Sequence, residues 1–171
     1  MSRRSIANVW DWPVRICHWT LAGLVIANLI DDDNGSRHRV VGYIAVSIVL
    51  ARLTWAAVSR SGGSLRPSPS ASLLYLRQLR HSVPPRQPGH NPLGIWMVWL
   101  IWATVLMLGL TGWMSRLDMF WGDDTIHVIH ATLAYLLMAC TAIHIVAITL
   151  MSWLWKENLA LSMLYRHKRS N

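Results

Sequence analysis

Charge is scarce in this chain, and it is missing in long runs rather than thinned evenly. Charged residues make up 14% of the 171 residues, against 53% apolar residues and eleven Trp. A soluble domain of this length spreads more charge over its surface, so that class is excluded. Cysteine is scarce as well. Cys17 and Cys140 both fall inside apolar segments, where they read as small buried hydrophobes rather than as a disulfide. No Cys-x-x-Cys-His motif occurs, which excludes the usual covalent attachment of a c-type haem. The opening "MSRRSIANVWDWPVR" lacks a short apolar core followed by a small-residue cleavage site, so no removed signal peptide is expected.

What is present is four long segments nearly free of charge, separated by polar, Pro-bearing or charged stretches. Their lengths suit a bilayer, which takes about 20 apolar residues per helix. The expected spans are 12–30, 38–58, 92–114 and 125–153 of a single transmembrane domain covering 1–171. Pro13 falls in the first turn of the first span, where a missing N–H costs nothing. The fourth segment is longer than a bilayer requires and should tilt or project. Between the second and third spans, "SASLLYLRQLRH" alternates apolar and basic residues at helical spacing. An interfacial amphipathic helix is expected over about 70–82, with Leu73, Leu76 and Leu79 turned to lipid. Trp10, Trp12, Trp113, Trp121, Trp153 and Trp155 lie near span ends, as an aromatic belt requires. Trp96, Trp99 and Trp102 form a stripe along the third span that reads as packing. The fold class is therefore all-α, an integral membrane four-helix bundle.

The net charge of +8 suggests nucleic acid at first sight, but its distribution follows the membrane instead. The N-terminal segment carries Arg3, Arg4 and Arg15; the long middle connection carries Arg60, Arg66, Arg77, Arg80 and Arg86; the tail carries Lys156, Arg166, Lys168 and Arg169. The two short connections hold Asp31, Asp32, Asp33, Asp118, Asp123 and Asp124 against Arg37, Arg39 and Arg116. Basic loops stay in the cytoplasm, so both termini are expected there, in a bacterial inner membrane. No nucleic-acid partner is expected.

Titratable groups at membrane depth are costly and mark function. The stretch "HVIHATLAYLLMACTAIH" places His127, His130 and His144 on one uncharged helix. Fourteen residues at about 100° each bring His144 back to within roughly 40° of His130, and about 21 Å separates them along the axis. His18 lies at the inner depth of the first span and His38 at the outer depth of the second. The chain thus offers two histidines per side, His18 with His144 and His38 with His130. A lone histidine could be a neutral imidazole bonded to a neighbouring helix; two depth-matched pairs suggest two stacked b-type haems with axial imidazoles. Zinc prefers a tetrahedral site with further ligands, and only Cys17 and Cys140 lie at these depths. A proton relay ordinarily includes intramembrane carboxylates, which the spans lack.

Haem propionates need cationic partners. Arg15, one turn before His18, and Arg52, deep in the second span, suit an inner haem; Arg37 and Arg39 flank the outer one. Snorkelling at the interface accounts equally for Arg15, Arg37 and Arg39, but less well for Arg52. His127 stands one turn from His130 and could meet a propionate, a quinone or only the interface. Gly42, one turn after His38, makes room either for a macrocycle or for helix packing. His90 and Asn91 precede the third span, where capping is the simplest role.

The segments "VWDWPVRICHW", "HRVVGYIAVSIVLAR", "GHNPLG" and "WKENLALSM", with the His130–His144 spacing, cover nearly the whole chain. In their order and spacing the chain resembles the prokaryotic cytochrome b561 group, including cytochrome b subunits of the nickel–iron hydrogenase type. The resemblance implies a four-helix di-haem cytochrome passing electrons between the quinone pool and a redox partner, with His18, His38, His130 and His144 as ligands. A periplasmic partner such as a cytochrome c would suit the Asp-rich outer connections. The chain is short for a hydrogenase-bound subunit, which favours a stand-alone cytochrome or another partner. Three rivals stand beside this reading. They are a stand-alone oxidoreductase acting on superoxide and quinone, a membrane cytochrome b subunit of a dehydrogenase or hydrogenase complex, and a haem-free membrane anchor or transporter subunit.

Overall fold

The structure, a computed structural model, describes residues 11–30, 35–58, 65–81, 91–121 and 123–164. Among the described residues six α-helices follow one another: α1 (Trp12–Ile30), α2 (Ser36–Val58), α3 (Pro69–His81), α4 (Pro92–Met114), α5 (Asp124–Trp155) and α6 (Leu159–Leu164). A single 3-10 turn, Asp118–Phe120, joins α4 to α5, and the described residues contain no strand. α1, α2, α4 and α5 are each long and apolar enough to cross a membrane. Against the expected spans, α2 starts two residues earlier and α5 runs from 124 to 155. The amphipathic helix also forms, one residue earlier at its start than expected.

Local chemistry fixes the ends. Asn91 caps α4 by accepting the Gly94 N–H at 2.6 Å, with Pro92 in the first turn, so capping is the role observed for Asn91. Asp123 caps α5 by accepting the Thr125 N–H at 2.8 Å. At the other end Lys156 takes a left-handed conformation (φ 53°) and lets Glu157 N–H bond back to the Ser152 carbonyl at 3.0 Å, which stops the helix. In lipid every backbone group must be paired within the segment, and the hydroxyls of Ser47, Thr54, Thr104, Thr132 and Thr149 each return to the carbonyl four residues earlier.

The helices run up and down. α1 packs on α2, α2 on α4 and α4 on α5, while α3 lies against α4 and α6 against α5. The core joins Val25, Ala45, Val49, Trp102, Val105 and Leu137, with Val49 wholly buried. Gly109 sets the α2–α4 approach: a Cβ there would run into the Val46 side chain. With no water to avoid, close backbone approach rather than an apolar stripe decides which faces meet. The exterior stays apolar, and Trp12, Trp113, Trp121 and Trp153 are exposed near the span ends. Trp10 lies outside the described residues. On α3, Ser72 and Tyr75 are buried while Leu73, Leu74 and Leu76 face outward, which suits an interfacial helix. Leu79 is half-buried.

The tryptophan stripe of α4 does more than fill space. Trp96 Nε1 donates to Ser72 Oγ at 3.2 Å and Trp99 Nε1 to the Leu65 carbonyl at 2.8 Å. Those two bonds pin Leu65 and α3 to the start of α4. The bundle thus has two distinguishable ends. The terminal side holds the start of α1, the end of α2, the start of α4 and the end of α5; the hairpin side holds the end of α1, the start of α2, the end of α4 and the start of α5.

Candidate functional site

His18 sits in the second turn of α1 and His144 near the terminal side of α5. Their ring centroids are 6.3 Å apart, with planes at 54°. His38, in the first turn of α2, faces His130 on α5 with centroids 6.2 Å apart and planes at 65°. The two pairs that depth selected are therefore the two pairs that meet. α5 supplies one ring to each, and neither α1 nor α2 packs closely on it. The helices face one another across imidazoles rather than across touching backbones.

A metal–imidazole bond of about 2 Å, plus about 1 Å from nitrogen to ring centre, puts two imidazoles on opposite faces of one ion about 6 Å apart. Both pairs match that separation. Among the described residues no group of three or more His, Cys, Asp or Glu converges as a metal site. A tetrahedral zinc centre therefore lacks ligands, whereas haem iron, which takes its equatorial nitrogens from the macrocycle, asks the protein for two. One orphaned polar atom, Arg52 Nη1, points the same way, because it lacks an anion such as a propionate. His18 Nδ1, His38 Nδ1 and Arg52 Nη1 are buried without a hydrogen-bond partner. Each such atom costs about 1–3 kcal/mol, more if charged, until a partner arrives. The residues fit haem b.

The surroundings of the pairs differ. On the terminal side a small cavity of about 70 Å³ is lined by Val14, Cys17, His18, Arg52, Leu65 and Trp102, among others. Arg52 is 8% exposed, and its Cζ lies 5.7 Å from the centre of the Trp102 ring. The indole face steadies a guanidinium whose Nη1 still has room for an anion. Trp19 meets the His18 ring edge-on at 5.3 Å. Both cysteines are free thiols.

On the hairpin side the partners are neutral. Thr111 Oγ1 stands 2.8 Å from His130 Nδ1, and a Cβ on Gly112 would lie 3.4 Å from His130 Cε1. Asn28 Nδ2 donates to the His38 carbonyl at 3.1 Å, and its Oδ1 is buried without a partner. The same amide would stand 3.5 Å from a Cβ on Gly42, an ordinary contact distance. Thr111, Asn28 and Trp102 have no signal in the sequence that marks them, because each meets its partner across helices.

The other candidates stand outside the pairs. Of the four arginines Arg52 is buried, Arg15 and Arg39 are half-buried, and Arg37 is exposed. Arg37 and Arg39 flank His38 in sequence and so leave the helix about 100° to either side of it. His127 is exposed, and His81 is exposed at the end of α3. His90 and His167 lie outside the described residues. A larger groove of about 780 Å³ between the end of α5 and α6 is lined by Thr149, Ser152, Trp153, Lys156 and Asn158, among others, and by none of the histidines.

Fold and site together define a class: a membrane-embedded helix bundle whose facing imidazoles suit haem. The model of the family described as prokaryotic cytochrome b561 matches residues 9–166. The chain belongs to that family, and it is accordingly a haem b-binding membrane cytochrome of electron transport. No individual curated protein and no solved structure matches it.

Proposed function

We propose that the protein is a di-haem cytochrome that carries electrons between the quinone pool and a redox partner across a bacterial inner membrane, as part of a respiratory chain. His18 and His144 hold one haem b, and His38 and His130 the other. The observation that carries this reading is the double pairing itself: one helix presents two imidazoles, each about 6 Å from a ring on another helix. When bound, haem b supplies one-electron chemistry at its iron. The chain's own residues fix the depth of each site, keep it dry and set its electrostatics. Arg52 holds a propionate of the His18/His144 haem, with Arg15 one turn from His18 as a second cation. Arg37, Arg39 and His127 serve the mouth of the other site, toward a propionate or quinone.

The excess of Lys and Arg on the terminal side places both termini in the cytoplasm, so the His38/His130 site faces the periplasm. Asp118, Asp123 and Asp124 are exposed there. They favour a basic redox protein, such as a cytochrome c, as the partner on that side. A pyridine haemochrome assay on detergent-purified protein tests the core of the reading. Two haems b are expected per chain, and one or none would contradict it. Turnover of quinol with superoxide in the absence of any protein partner would instead identify a self-sufficient oxidoreductase.

A further inference from the structure

α4 contributes no histidine, yet it touches one. Thr111 is buried, at 6% exposure, and its Oγ1 has three polar neighbours. They are the Met107 carbonyl at 2.9 Å, the Leu108 carbonyl at 3.2 Å and His130 Nδ1 at 2.8 Å. A hydroxyl has one proton to give and two lone pairs to receive with. Both carbonyls can only accept, and the single Thr111 proton goes either to one of them or to His130 Nδ1. With the proton on the α4 backbone, as in the other back-bonding threonines, Nδ1–H donates to Oγ1. A neutral imidazole protonated on Nδ1 carries its free lone pair on Nε2.

Thr104, Thr132 and Thr149 also return their protons to the carbonyl four residues earlier. Thr111 differs in that its oxygen receives an imidazole from the neighbouring helix. Gly112, the next residue, lets the α4 backbone close on the edge of the same ring. Among the four paired histidines, His130 is the one whose ring nitrogen has a hydrogen-bond partner among the described residues; Nδ1 of His18 and of His38 has none.

We propose that Thr111 is a positioning residue for the His38/His130 site: it locks His130 as the Nδ1–H tautomer, presents Nε2 as the ligating atom and strengthens that imidazole as a donor. The inference rests on the reading of His130 as a haem ligand. An outer partner that accepts the second ring proton orients a ligating histidine and raises its basicity. A more basic axial ligand favours oxidised iron, so losing the bond should make one haem easier to reduce and leave the other unchanged.

The test uses full-length protein purified in detergent, as wild type, Thr111→Val and Thr111→Ser. Haem content, a potentiometric titration followed optically and the low-spin ferric EPR spectrum are recorded for each. Thr111→Val keeps the shape and removes the acceptor. It should retain two haems and shift the reduction equilibrium of one by about threefold or more toward the reduced form, roughly 30 mV for one electron. The EPR signal of that haem alone should move. Thr111→Ser should restore both readings. Unchanged potentials and spectra in a Thr111→Val protein with both haems would overturn the inference, as would a serine variant displaced as far as valine. If Thr111→Val loses a haem, retention by Thr111→Ser supports the proposal and loss by both overturns it. Full haem content in His130→Ala would sink the ligand assignment itself, separately from the role of Thr111.

Discussion

At the terminal side of the bundle His18 and His144 face each other beside a buried guanidinium. At the hairpin side His38 and His130 face each other at nearly the same separation beside a threonine hydroxyl and an asparagine amide. The ring geometry repeats because one helix, α5, supplies a ring at each depth. The electrostatics do not repeat. Arg52 brings a full charge into a low-dielectric site, where it must find an anion or remain costly. At the other site the partners Thr111 and Asn28 bring only dipoles, and the cations Arg37 and Arg39 are respectively exposed and half-buried, where water screens them. In the proposed di-haem cytochrome, a cation beside one haem would favour its reduced form, and a strengthened imidazole on the other would favour the oxidised form. The terminal-side haem is therefore expected to have the higher potential of the two.

The harshest way to break this comparison is to remove one ligand at a time. His144→Ala and His130→Ala should each lose one haem and keep the other, halving the haemochrome yield. The haem left by His130→Ala should titrate at the higher potential. Identical residual potentials would show that the two environments are equivalent. The next largest effect is expected at Arg52. A hydrogen bond to a charged group contributes about 1.5–3 kcal/mol, so Arg52→Leu should weaken retention of the His18/His144 haem by about ten- to a hundredfold. Arg52→Lys keeps the charge but not the planar fork and should fall between. Haem transfer to an excess of a soluble apo-globin measures the rates. Without haem the sign reverses, because leucine relieves an unpartnered buried cation, and the apo form of Arg52→Leu should be the more stable one. Equal transfer rates for wild type and Arg52→Leu would remove the cation from the site.

How much of this contrast was legible beforehand follows from how far each signal reaches along the chain. Spans and histidine depths are local: they need only hydropathy, the rise per residue and the positions of His18, His38, His130 and His144. Arg52 was legible as well, because a charge inside an apolar run is conspicuous. Thr111 was not. It meets His130 across 19 positions of sequence, and its hydroxyl looks like every other back-bonding threonine in a membrane helix. Asn28 near the end of α1 and Trp102 beneath Arg52 were hidden for the same reason. Arg37 and Arg39 are the opposite case. Adjacent to His38 in sequence, they leave the helix about 100° to either side of it, so they reach the mouth of the site rather than share its face.

The smallest effect probes the comparison from the end of α5 that carries His130. Asp123 is exposed and caps that end by accepting the Thr125 N–H at 2.8 Å. The Thr125 hydroxyl first, then this backbone bond and nearby His127, hold the Asp123 carboxyl below the usual carboxylate range. A group whose pKa is lower in the folded protein stabilises it above its unfolded value, about 3.9 for Asp, and loses that contribution as pH falls through the depressed value. Asp123→Ala should therefore lower the thermal midpoint by only about 1–3 °C at pH 7. The gap to wild type should narrow as the pH drops below about 4. Frayed backbone at the first turn of α5 lies two turns from His130 and about 30 Å of helix from His144. Any shift in potential should thus be confined to the His38/His130 haem. A thermal gap that stays constant from pH 7 to pH 3 would show that Asp123 does not act as an ionised cap. A potential shift shared by both haems would show that α5 transmits disturbance along its whole length, and the two sites could then no longer be treated as independent.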